Sequence, residues 1–197
     1  MLRSTREMWG GVVRLFHWGM AVLYAGIIAV GYYMSDLPNG ADKMKIYALH
    51  KSVGVLLLGL ALARLLWRAI DARPSSDPAP AWQQRVALLT LVALYALMLA
   101  LPLTGWLYNS AAGFPLRWFN LVNLPALSAA DPQIKGWAKE LHETGAALLI
   151  ALVGVHVLGA LKHHFLDKDS TLQRMLGRPG RSEEHTSELQ SHSFISY

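Results

Sequence analysis

The sequence predicts an all-α fold, a four-helix transmembrane bundle with both termini on the cytoplasmic side, and three observations predict it. Apolar residues make up 53% of the 197 and charged residues only 16%, where a soluble domain would carry about a quarter. The apolar excess is gathered into four runs, roughly 15–35, 49–70, 86–108 and 142–165. Each is near the ~20 residues an α-helix needs to cross a ~30 Å hydrocarbon core. Lys and Arg are divided unevenly among the connections, which orients the bundle. Residues 1–178 read as one domain, multi-pass, with membrane lipid as its solvent.

The first run follows Arg3, Arg6 and Arg14 as a signal peptide would. It is long for an apolar signal region and lacks a small-residue cleavage site before the polar loop at Asp36, so it reads as a retained anchor. The second run opens beside His50. It is followed by a short extended linker, 71–81, containing Pro74, Pro78 and Pro80. The third run contains Pro102, which should kink the helix and free a carbonyl for a serine, water or a neighbouring helix to satisfy. The connection 109–136, with Pro115, Pro125 and Pro132, is long for a bundle and is expected to lie as an outer cap over the helix ends. The fourth run carries His142 and His156.

With the N-terminus in the cytoplasm, the inner segments hold eleven Lys and Arg and the outer ones six. That asymmetry favours both termini inside. Most tryptophans fall near the expected interfaces, and an aromatic belt accounts for them. The formal charge of +5 and the pI near 9.6 belong to this pattern and imply no nucleic-acid partner. Residues 181–197, RSEEHTSELQSHSFISY, depart from it: they are polar, aperiodic and resemble the translation of a sequencing adapter. They read as a non-native tail, so His185 and His192 are set aside. Without the tail the formal charge is +7.

Four histidines lie inside these runs or at their mouths, and an ionisable group within a span marks a functional site by default. His142 and His156 are fourteen residues apart. That is nearly four turns, which puts them on one face about 21 Å apart along the axis. Counted from Asp36 and Trp137, His17 and His156 lie equally deep, nineteen residues in. His50 lies five residues from Lys45 and His142 five from Trp137. Depth therefore pairs His17 with His156 near the cytoplasmic face and His50 with His142 near the outer face, each pair across two helices. Zinc or copper also takes histidine, but a compact site needs three or four converging ligands. Two separated pairs suit axial ligation of two haems.

Cysteine is absent, which removes covalent haem attachment and leaves b-type haem. Gly54, Gly145 and Gly159 share faces with the histidines and would leave space for a macrocycle, although glycine is also common wherever membrane helices pack closely. Arg14 and Lys51 are candidate partners of haem propionates; an inside-positive anchor and a snorkelling lysine are the plainer readings. Glu143 reads as a solvated helix-start carboxylate, and His163 and His164 as residues of the cytoplasmic interface.

The stretches RLFHWGMA around His17, LHKSVGVLLL with ARLLWR around His50, PLTGW, and KELHETGAALLIALVGVHVLGALKHHFLDKDSTLQRM in the fourth run resemble the prokaryotic di-haem cytochrome b561 family. The resemblance covers about residues 10–178. It implies two haem b groups, quinone or quinol as redox partner, a further carrier as the second partner, and residence in the bacterial inner membrane. It also implies the same ligand pairing. A homodimer is compatible with it. Two alternatives stay open: a cytochrome b anchor subunit of a dehydrogenase or hydrogenase complex, and a non-redox metal-binding membrane bundle. Read this way the chain is an electron carrier, with quinone oxidoreductase activity a further option. With two imidazoles per iron, outer-sphere electron transfer is expected rather than oxygen activation.

Overall fold

Each apolar run folds as part of a longer helix. The computed structural model describes residues 1–75 and 79–178; the tail at 181–197 lies outside the described residues. The helices are α1 (Gly11–Asp36), α2 (Ala41–Ile70), α3 (Ala81–Ala111) and α4 (Pro132–Lys162), followed by a π-helical turn (His163–Asp167) and a short α5 (Thr171–Leu176). The first four are long and apolar enough to cross a membrane, α4 together with the turn that extends it.

The helices begin well before the apolar runs do. α2 starts at Ala41 and α4 at Pro132, where the runs start at 49 and 142. Apolarity marks only the hydrocarbon span, while the polar first turns stay helical in water wherever their N–H groups are capped. At α4 the Asp131 carboxylate accepts from the N–H groups of Gln133 and Ile134 at 2.7 and 3.0 Å, with Pro132 in the first turn.

The connection between α3 and α4 is not purely irregular. It forms an antiparallel ribbon, β1 (Leu116–Trp118) with β2 (Val122–Leu124), a small departure from the all-α expectation. Its turn places Phe119 and Asn120 at φ 47° and 60°, the left-handed pair that a tight hairpin requires. The ribbon is tied to the side of α2: Trp118 Nε1 donates to the Ser52 carbonyl at 3.1 Å, and Phe119 N–H to Ser52 Oγ at 3.0 Å. It caps the bundle at the end away from the termini.

The opposite end gathers the N-terminal segment, the α2–α3 linker and α5. Ser4 binds Asp71 through both its N–H and its hydroxyl, at 3.1 and 2.6 Å, and Trp18 Nε1 donates to the Met175 carbonyl at 3.2 Å. Between the two ends, Met20, Leu57, Ala61 and Met98 form a buried core cluster contributed by α1, α2 and α3. α1 packs along α2, α2 along α3 and α3 along α4, whereas α4 is not closely packed against α1 or α2.

Candidate metal centres

The four histidines meet across that unpacked seam. His17 of α1 faces His156 of α4 with ring centroids 6.0 Å apart and planes crossed at 64°. His50 of α2 faces His142 of α4 at 6.2 Å and 79°. The structure therefore brings together the pairs that depth selects. Metal–imidazole bonds are about 2 Å long, so a metal shared between two facing ring nitrogens holds the ring centres about 6 Å apart. Both pairs have that spacing. They also lie where α4 stands off from α1 and α2, so the residues present fit a haem held by two histidines at each site.

His142 is held by the backbone of α3. Its Nδ1 lies 2.9 Å from the Leu101 carbonyl, which also accepts from Thr104 Oγ1 at 3.0 Å. A carbonyl only accepts, so Nδ1 carries the proton and Nε2 keeps its lone pair for a metal. Gly105 permits this approach: a Cβ there would lie 3.0 Å from His142 Cε1. Gly31 does the same for His50, whose Cε1 would lie 3.3 Å from a Cβ. His50 Nδ1 is buried without a well-formed hydrogen bond among the described residues.

The glycines singled out by helical face are used differently. Gly159 meets nothing within 4 Å, and Gly54 only the tip of Ile27 at 3.8 Å. Gly145 is filled: Leu101 Cδ2 lies 3.0 Å from where its Cβ would stand. There the missing side chain serves the packing of α3 against α4 rather than open space.

Neither of the two expected propionate partners touches a histidine of the pairs. Arg14 turns toward the C-terminal segment, where it lines a cleft with Trp18, Met175 and Leu176. Its guanidinium occupies the space a side chain at Gly177 would need. Lys51 donates to Asn109 Oδ1 at 3.0 Å and ties α2 to the far end of α3. Glu143 forms an exposed pair with Lys139 at 3.6 Å. His163, at the start of the π-helical turn, pairs with Asp169 at 2.6 Å and Asp167 at 3.2 Å.

Arg64 is the charged residue that does enter the site. Its guanidinium lies 3.3 Å from His17 Nδ1 and 5.6 Å from the centre of the Tyr95 ring. In the sequence it is one of the eleven inner charges and lies within the ARLLWR stretch, which gives it no role of its own. Its place six residues before the end of α2, inside the apolar run, was the available signal.

Comparison with known proteins agrees with this architecture. The family model described as prokaryotic cytochrome b561 matches residues 8–178. "Cytochrome b561 homolog 2" of Escherichia coli (strain K12) is 36% identical over 177 residues, 89% of this chain and 94% of the relative. "Cytochrome b561 homolog 1" of the same organism is 31% identical over 161 residues, 81% of this chain and 89% of the relative. "Probable superoxide oxidase CybB" of Yersinia pestis is 30% identical over 131 residues, 65% of this chain and 73% of the relative.

Proposed function

The chain belongs to the prokaryotic cytochrome b561 family, a family of membrane b-type cytochromes, and from that premise we propose that it moves electrons between the quinone pool and another carrier through two haem b groups. His17 and His156 hold one, His50 and His142 the other. The observation that carries this reading is the spacing of the two facing pairs, 6.0 and 6.2 Å, on helices that otherwise stand apart. Bound haem supplies reversible one-electron chemistry at each site.

The residues around the pairs have a holding task. Two imidazoles would hold the haem at each site and would leave a substrate no ligand position to occupy. The Leu101 carbonyl fixes the His142 ring and its tautomer, and Gly31 and Gly105 let the rings of the outer pair seat against α1 and α3. In this reading the termini are cytoplasmic, the membrane is the bacterial inner membrane, and the His50–His142 pair lies toward the outside.

The test is a dithionite-reduced minus oxidised spectrum of the purified protein, with haem quantified per chain as the pyridine complex. Two b-type haems per chain are expected. His142→Ala and His156→Ala should each remove a different one. A folded, haem-supplied preparation without haem would overturn the reading. The name of the Yersinia relative, a probable superoxide oxidase, favours one identity for the second carrier: superoxide, giving one electron and leaving as dioxygen. A superoxide source then reduces the oxidised protein, and superoxide dismutase abolishes the reduction; a chain that stays oxidised under that source has a different donor.

A further inference from the structure

We propose that Arg64 is the counter-cation of the haem held by His17 and His156, and that its guanidinium leaves the His17 ring for a carboxylate of that haem. The inference rests on the haem reading above and adds to it a residue with a role beyond the four ligands.

Arg64 is an uncompensated charge in a membrane-spanning helix. Arginine stays protonated in any protein environment, and a cation without a counter-ion is costly in a low-dielectric interior. Among the described residues, no carboxylate pairs with it. Its contacts are the His17 nitrogen at 3.3 Å and the face of Tyr95 at 5.6 Å. A neutral nitrogen and a ring quadrupole give it partners without neutralising it.

The contact with His17 is also incompatible with a filled site. A guanidinium only donates, so His17 Nδ1 is the acceptor and the neutral ring carries its proton on Nε2. A metal at Nε2 needs that lone pair. A metal at Nδ1 would need the place Arg64 points to. Either way Arg64 must turn away. His142 differs, because its Nδ1 donates to Leu101 and its Nε2 is already free. The group whose arrival displaces Arg64 brings two carboxylates, which are the anions the guanidinium lacks. The two cations expected as propionate partners are engaged elsewhere, Lys51 by Asn109 and Arg14 alongside Gly177.

The test is a redox titration of the purified holoprotein, comparing wild type, Arg64→Met, Arg64→Lys and Arg68→Met. Arg68 also approaches Tyr95, at 6.0 Å, and has no contact with His17. It therefore removes equal charge one turn away. Deleting a cation beside a haem favours its oxidised form, so Arg64→Met should lower one midpoint of the two by about 59 mV, a tenfold shift for a one-electron couple. The other midpoint stays in place and reports an intact bundle. Arg64→Lys should recover part of the shift and Arg68→Met should give little of it. Loss of one haem in Arg64→Met, with the second retained, supports the proposal in the same way. Unchanged midpoints in Arg64→Met, or an equal shift in Arg68→Met, would overturn it. Absence of haem from the wild-type protein would instead overturn the reading on which it rests.

Discussion

Ring orientation at His142 is decided by one methyl group that is absent. A side chain at position 105 would press on the imidazole at 3.0 Å from Cε1 and 3.2 Å from Nδ1. The ring would have to swing away from the Leu101 carbonyl, to which it now binds at 2.9 Å. With haem bound as proposed, Gly105→Ala should therefore weaken its retention at the His50–His142 site about tenfold, the usual scale for losing a group that orients a metal ligand. The His17–His156 haem should be unaffected, and haem per chain measured during dilution separates the two. Equal retention of both haems would show that the Leu101 contact does not matter for ligation. Gly145 illustrates why face counting misses such positions. It lies on the expected face, three residues after His142, yet Leu101 fills it.

Among the elements, α3 carries the interruption at Pro102. Proline has no N–H, so the carbonyl four residues earlier, that of Met98, loses its helical donor. Tyr24 of α1 supplies a replacement, its hydroxyl donating to the Met98 carbonyl at 3.2 Å. A helix break in one element is thus satisfied by a hydroxyl from another, which also pins α1 to α3 across the core cluster. Tyr24→Phe should cost about 1 kcal/mol in the native protein, the typical net value of such a bond. In a Pro102→Ala background the backbone donor returns, and the same substitution should cost close to nothing. Unfolding in mixed detergent micelles measures both legs of this cycle; equal costs in the two backgrounds would show that the hydroxyl does not replace the missing donor.

For the whole molecule, the two ends of the bundle differ in what they join. One end ties the N-terminal segment to the α2–α3 linker through Ser4 and Asp71, and α1 to α5 through Trp18 and Met175. The other is covered by the ribbon bound to Ser52. Eleven of the Lys and Arg outside the tail belong to the first end and six to the second. Charge asymmetry supports the proposed cytoplasmic placement of the first end. A fluorescent reporter joined after residue 178 should mature and fluoresce in cells, and a phosphatase joined there should stay inactive. An active phosphatase at that junction would invert the orientation and exchange the faces assigned to the two histidine pairs.

The sequence by itself determined four spans and the equal depths of His17 with His156 and of His50 with His142. Apolarity and helical rise accumulate along one chain and need no knowledge of its neighbours. Helix starts were less legible, because Asp131 and the polar turns of α2 extend the helices beyond the hydrocarbon span. Only the tertiary structure decided which other groups turn toward the histidines: Arg64 to His17, Gly105 and the Leu101 carbonyl to His142, Gly31 to His50. Those contacts depend on how far each helix is rotated about its own axis and how closely it approaches the next. Packing between helices sets both, through residues far apart in the chain.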